Sequence, residues 1–137
     1  MIEINNLTFF PVDKNSFSQV AKIVLKGENE VLKTFSLAFV KKEEIKKLNK
    51  IFRDKNKPTD VLSFSLKEKK YLGEIIICPE IVKENAKKYK IPIKMEMMKV
   101  FIHGILHLLG YDHEKTAKAA EEMEIKQEKY LKEALLK

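Results

Sequence analysis

The chain's three histidines are the residues whose type and spacing could most clearly do chemistry. His103 and His107 lie four residues apart in an apolar segment, so a helix there projects both imidazoles from one face, one turn apart. Gly110 follows where a glycine in the left-handed conformation can end the helix. The chain can then turn back and bring His113 toward the first two, so that three rings enclose one metal ion.

The surroundings of the histidines favour a metal over an isolated buried pair. Segment 102–109 is apolar nearly all round, so the helix should be buried, and each imidazole without a partner would cost about 1–3 kcal/mol. One zinc ion is expected, because three neutral imidazoles suit tetrahedral coordination and leave the fourth position for water. A fourth ligand, Cys78 or Asp112, would instead close the site. Asp112 is rather expected to hold a histidine or to cap the following helix.

The residue after the first histidine bears on the reaction class. Zinc peptidases with this spacing carry a glutamate there as general base, whereas this chain has Gly104. A zinc-bound water has a pKa near ~7, so hydroxide is available without that base. The pattern therefore favours a substrate whose transition state needs charge stabilisation, such as a phosphodiester, and leaves a peptidase as the alternative.

Arg53 is the second chemical feature. Of the 27 basic residues every one but Arg53 is a lysine, and the formal net charge is +7. A basic excess attracts polyanions such as nucleic acid. An arginine presents paired donors that fit a phosphate and can stabilise developing charge there, although an ordinary surface ion pair is the plainer alternative. Asn49, four residues earlier in a predicted helix, could orient the guanidinium.

The elements that position these residues follow from hydrophobic periodicity. Strands are predicted at 1–5, 35–40, 60–66 and 71–78, and helices at 13–29, 42–53, 80–89, 92–109 and 116–136. The short charged turn 67–70 predicts that the third and fourth strands form an antiparallel hairpin. The buried stripe expected in the last helix is Ala120, Met123, Leu131 and Leu135. The fold class is α+β, with a small four-stranded mixed sheet packed with about five helices in a single domain, 1–137.

Composition excludes several classes of protein. The single cysteine rules out an internal disulfide framework and a zinc site made of cysteines alone. Apolar residues at 45% and charged residues at 34% are ordinary for a globular protein. Neither a basic-then-apolar leader nor an apolar run of ~18 residues is present. A cytoplasmic protein that does not interact with membranes is therefore expected.

Two segments together resemble the YbeY family of bacterial metal-dependent endoribonucleases, the ribosomal-RNA maturation factors. One is 49–64, which contains Arg53 and the run Pro58-Thr59-Asp60-Val61-Leu62-Ser63-Phe64. The other is the histidine segment 103–113. Leu72-Gly73-Glu74-Ile75 also resembles the hairpin strand of that family. The predicted order of strands and helices agrees over essentially the whole chain.

The resemblance implies a zinc ion held by His103, His107 and His113, and a catalytic arginine at Arg53. His107 is also expected to act as a catalytic residue. It implies cleavage of single-stranded RNA in 16S rRNA 3′-end maturation and ribosome quality control. The implied partners are the small ribosomal subunit and its assembly factors. Two alternatives stay open: a zinc peptidase-like hydrolase, and a non-catalytic ribosome-assembly module with structural zinc.

Overall fold

The computed structural model describes residues 2–66 and 68–136. Met1 of the first predicted strand, Lys67 of the predicted turn and Lys137 at the end of the predicted domain therefore lie outside the described residues. The strands are β1 (Glu3–Asn6), β2 (Thr34–Phe39), β3 (Val61–Ser65) and β4 (Tyr71–Ile77). The helices are α1 (Lys14–Gly27), α2 (Lys42–Arg53), α3 (Pro79–Tyr89), α4 (Ile93–Leu108) and α5 (Ala117–Leu135).

The strands form one mixed sheet in the order β1-β2-β4-β3. β1, β2 and β4 run parallel, and β3 pairs with β4 in the antiparallel sense. The predicted hairpin and the α+β class with a four-stranded mixed sheet are therefore confirmed. β3 lies at one edge of the sheet, so its outer side is available to form the wall of a cleft.

The sheet is covered on both faces, which explains the continuous apolar run in β4. Ile75 and Ile77 belong to the larger core, which contains buried residues of α1, α4 and α5. Ile76 and Cys78 belong to a smaller core, to which α2 contributes Ile45. Because successive strand side chains point to opposite faces, α4 and α2 lie on opposite sides of the sheet.

The predicted helix ends lie within two residues of the observed ones, and polar capping residues explain the difference at the starts of α1 and α5. Asp13, predicted inside the first helix, precedes it and accepts hydrogen bonds from the N–H groups of Asn15 and Ser16. Thr116 caps α5 in the same way. Within the described residues, no helix is both long and apolar enough to cross a lipid bilayer.

The predicted stripe of α5 is partly wrong. Met123 is buried as expected, but Leu135 is 46% exposed. Tyr130 and Ala134 are the other buried residues of the helix. Leu131 is half-buried against the larger core as expected, so the packed face is only partly displaced from the predicted one. It also carries Gln127, four residues after Met123.

Candidate metal centre

The end of α4 brings the three histidines together. His103 and His107 share one face of this mostly buried helix, as predicted. Gly110 has a φ of +105°, a conformation that favours glycine. The N–H of Tyr111 donates to the carbonyl of Leu106 at 3.0 Å and closes the turn. The chain thereby reverses, and His113 returns toward the helix.

The three rings face a common centre. The Nε2 atoms of His103 and His107 are 3.1 Å apart, and Nδ1 of His113 lies 3.0 Å from Nε2 of His107. Their candidate ligand atoms all lie within 4.8 Å of one another. These three residues, called the histidine cluster below, could bind a metal ion.

The surroundings of the histidine cluster suit a cation that needs neutral imidazoles. Burial, together with the neighbouring imidazoles, lowers the pKa of His103 and of His107. Neutral rings keep a lone pair free for a metal at lower pH than exposed histidines would. The donor set of three imidazole nitrogens fits zinc.

Gln127 fixes the orientation of one ring, a contact that the sequence analysis missed. Its Oε1 lies 2.8 Å from Nδ1 of His103. Because an amide oxygen only accepts, Nδ1 carries the proton and donates it, which leaves Nε2 as the lone-pair nitrogen toward the cluster. One feature of the sequence could have indicated this contact: Gln127 is a polar residue four positions after the buried Met123, on the same side of the helix.

Neither candidate fourth ligand joins the three ring nitrogens, although Asp112 lies in the same loop as His113. Cys78 is fully buried in the smaller core beside Leu62 and Ile76. Asp112 uses Oδ1 to accept the N–H of Glu114 at 3.0 Å, which stabilises the turn before α5. Among residues 2–66 and 68–136, no cysteine, aspartate or glutamate joins the three histidines as a metal-capable group.

The loop that carries His113 is anchored by Glu28, which follows α1. Tyr111 donates its hydroxyl to Oε1 of Glu28 at 2.6 Å. Tyr130 and Lys126 of α5 both donate to Oε2 of the same carboxylate. One carboxylate therefore joins α1, α5 and the histidine loop, a long-range contact that no local pattern indicated.

A cleft of about 770 Å³ opens beside the histidine cluster. Its lining combines His103, His107 and residues 110–114 with the end of α2, the following loop, β3 and part of α3. Arg53 lies in this lining, and its Nη2 is 3.7 Å from Oε1 of Glu114. The same oxygen is 3.9 Å from Nε2 of His113. Glu114, which sequence reasoning missed, thus lies between the arginine and the histidine cluster.

Asn49 does not orient Arg53 as suggested. Its side chain is buried, and the amide nitrogen donates to the carbonyl of Lys57 at 2.9 Å. Asn49 therefore holds the loop after α2, which carries Lys55, Lys57 and Pro58 along the cleft. The interaction is with the backbone of the cleft wall and not with the guanidinium.

Gly104 faces the sheet and not the cleft. A Cβ at this position would lie 3.0 Å from Cγ2 of Ile75 and 3.2 Å from Oγ of Ser63. The helix is thus packed closely on β3 and β4, and a side chain at position 104 would fit only if Ile75 and Ser63 moved.

Comparison with known proteins gives consistent matches. A family model described as Endoribonuclease YbeY matches residues 3–135. An Endoribonuclease YbeY of Thermotoga maritima is 49% identical over 98 residues, covering 72% of this chain. That match spans 65% of the relative's own length, just under two thirds. An Endoribonuclease YbeY of Aliarcobacter butzleri is 40% identical over 118 residues, covering 83% of this chain and 80% of the relative.

The fold has a solved counterpart as well. The solution structure of a Thermotoga maritima protein superimposes with a TM-score of 0.71 at 38% sequence identity. It covers 98% of this chain and 89% of the other. Because the family model also spans nearly every residue, the chain belongs to the YbeY family.

Proposed function

We propose that this protein is a zinc-dependent endoribonuclease that cleaves single-stranded RNA. The observation that carries the proposal is the position of the histidine cluster and Arg53 in the lining of one cleft. A metal-binding group and a phosphate-binding group in the same cleft are what cleavage of a phosphodiester needs. The curated relatives bear the name endoribonuclease, which supports the same reading.

In this proposal His103, His107 and His113 hold one zinc ion through the three ring nitrogens that face each other. When bound, zinc supplies a Lewis acid that polarises a phosphoryl oxygen and promotes ionisation of water near neutral pH. Three protein ligands leave a coordination position free, which distinguishes a catalytic zinc site from a structural one. His107, expected as a catalytic residue, acts here as a ligand, and Gln127 keeps His103 in the required tautomer.

Arg53 is the residue that we propose to bind the scissile phosphate. Its guanidinium can donate two parallel hydrogen bonds to phosphate oxygens and stabilise the charge that grows on them. Its ion pair with Glu114 is long and exposed, so a phosphate can displace the carboxylate at little cost. In the complex, the guanidinium of Arg53 then pairs with the phosphate and no longer with Glu114.

The two alternatives are less well supported. A peptidase mechanism would need a base in the place of the glutamate that zinc peptidases carry after the first histidine, and position 104 holds a glycine packed against Ile75 and Ser63. A structural zinc site would need a fourth protein ligand, and none accompanies the three histidines among the described residues. Neither objection applies to the cleavage of an RNA phosphodiester by a bound metal ion and Arg53.

The biological setting is part of the proposal. The family resemblance implies 16S rRNA 3′-end maturation and ribosome quality control, with the small ribosomal subunit and assembly factors as partners. The net charge of +7 favours binding to such a polyanion. An rRNA substrate would also place the activity in the cytoplasm.

The test is cleavage of a labelled single-stranded RNA by the zinc-loaded full chain, with and without a chelator. We expect chelation and His107→Ala each to abolish cleavage, and Arg53→Ala to lower kcat by about 10²–10³. Lys132→Ala, which removes an exposed positive charge on α5, is the control and should cleave normally. Full activity of the His107→Ala protein would refute the metal-dependent mechanism.

A further inference from the structure

The positive charge of the chain is concentrated in two segments. Residues 41–57 contain eight basic and three acidic residues, a net charge of +5. Residues 79–90 contain four basic and two acidic residues, a net charge of +2. Together they account for the entire net charge of +7, so the remaining chain is neutral overall. A general excess of surface lysine would not produce this distribution.

The fold brings the two segments side by side. They contain α2 and α3, and Nζ of Lys42 in α2 lies 3.1 Å from Oε2 of Glu84 in α3. Ile81 of α3 also packs against the smaller core that contains Ile45 of α2. The two charged segments therefore form one surface and not two separate patches.

This surface continues into the cleft. Lys46, Lys50 and Arg53 are spaced by four and three residues, so they follow one side of α2 toward its end in the cleft lining. From α3, Asn85 also lines the cleft, and this helix extends away from it through exposed lysines. We define the basic face as the exposed lysines Lys46, Lys50 and Lys88.

We propose that the basic face binds the phosphates of an RNA strand where it leaves the cleft, beyond the cleaved linkage. This inference rests on the proposed function, because RNA is the occupant of the cleft. A lysine is a flexible point charge that binds phosphates without reading bases. The basic face therefore supplies affinity for long RNA, whereas Arg53 and the histidine cluster act on the linkage itself.

The test compares two charge-neutralised proteins that lose equal charge. Lys46→Gln/Lys50→Gln/Lys88→Gln alters the basic face, and Lys22→Gln/Lys26→Gln/Lys132→Gln alters exposed lysines of α1 and α5. Binding is measured with a chelator present, over a series of salt concentrations. The probes are a single strand of about 5 nucleotides and one of about 20, below and above the span of most single binding grooves.

We expect the basic-face protein to bind the long strand at least about tenfold more weakly. Its slope of log affinity against log salt should shrink by about 2, from three lost contacts at roughly 0.7 each. Binding and metal-dependent cleavage of the short strand should be unchanged, and the control protein should match the wild type on both strands.

Three results would overturn the inference. Long-strand binding could be unchanged in the basic-face protein, or it could fall equally in the control, which would indicate net charge alone. The basic-face protein could also lose binding to phosphatidylserine-containing vesicles while it keeps its binding to RNA. That result would indicate that the basic face binds a membrane surface and not RNA. Failure of the wild type to cleave the short strand would refute the proposed function separately, while a selective loss of long-strand binding would still locate the RNA-binding face.

Discussion

Two side chains outside the sequence motif contact the histidine cluster and offer tests at the scale of single residues. Gln127 accepts the Nδ1 proton of His103, and Glu114 lies between His113 and Arg53. The first contact sets which nitrogen is free for a metal, and the second occupies the guanidinium when no phosphate is bound. The ligands and the arginine therefore depend on neighbours that the motif does not contain.

Gln127→Leu should weaken zinc affinity by about 10–100-fold, because His103 loses the acceptor that fixes its ring and tautomer. Competition with a chromogenic chelator measures this affinity directly. Gln127→Glu retains an acceptor at the same reach and is the control, with affinity near that of the wild type. Equal zinc affinity in the leucine variant would show that the hydrogen bond does not position His103.

Glu114→Gln should strengthen binding of single-stranded RNA by up to about fivefold, because a carboxylate no longer competes for Arg53. The effect is small since both side chains are substantially exposed, Arg53 at 44% and Glu114 at 63%. Fluorescence anisotropy with a labelled strand measures it. The gain should vanish when Arg53→Ala is also present, and a gain that persists there would assign it to general electrostatics.

At the scale of elements, the packing of α4 on the sheet decides which side chains can stand beside the histidines. Gly104→Ala should lower the free energy of unfolding by about 1–3 kcal/mol, because the added methyl group meets Ile75 and Ser63. Chemical denaturation measures the loss. A stability equal to the wild type would mean that α4 can move away from the sheet, and would reopen room for a general base at this position.

Glu28 joins three elements, and its ionisation should control stability at acid pH. Burial acts to raise the pKa of Glu28, but hydrogen bonds from Tyr111, Tyr130 and Lys126 outweigh it and hold the pKa below the ordinary 4.5. Burial and the contact with Glu28 also raise the pKa of Tyr111 to about 12. The ionised carboxylate therefore stabilises the fold above pH 4.5, and this contribution is lost as pH falls through the lowered pKa.

Glu28→Gln should lower the free energy of unfolding at neutral pH by about 2 kcal/mol, since charge-assisted hydrogen bonds are lost. Denaturation at several pH values should also show a flatter acid limb than the wild type, because the titrating group is gone. Glu121→Gln, which changes an exposed carboxylate on α5, is the control. An unchanged acid limb in Glu28→Gln would remove Glu28 as the source of that pH dependence.

The sequence was sufficient to predict the helices and strands, because these depend mainly on local patterns of residues. Alternation and helical spacing predicted every element, and the bounds of α2 were predicted without error. The packed face of α5 was not predictable, because Tyr130 is buried through its hydroxyl bond to Glu28 and its ring covers Gly27. Similarly, the spacing of the histidines indicated their convergence, but the contact of Gln127 depends on how α5 crosses α4.

At the scale of the whole molecule, the two faces of the sheet have different parts in the proposed activity. One side carries α1, α4 and α5, which hold the histidine cluster and its supporting contacts. The other carries α2, which supplies Arg53 and, together with α3, the basic face. The cleft lies where these two sides meet along the edge strand β3. A metal site and a phosphate-binding surface are thereby assembled from separate layers.

The coordination of bound zinc decides whether the three histidines form a site with one position open to solvent. X-ray absorption at the zinc edge of the fully loaded protein gives the number and kind of ligand atoms. We expect three imidazole nitrogens and one oxygen from solvent, at about 2.0–2.1 Å, and a loss of stoichiometric binding in His113→Ala. A sulfur ligand, a fourth imidazole from a second copy, or intact stoichiometric binding without His113 would contradict it.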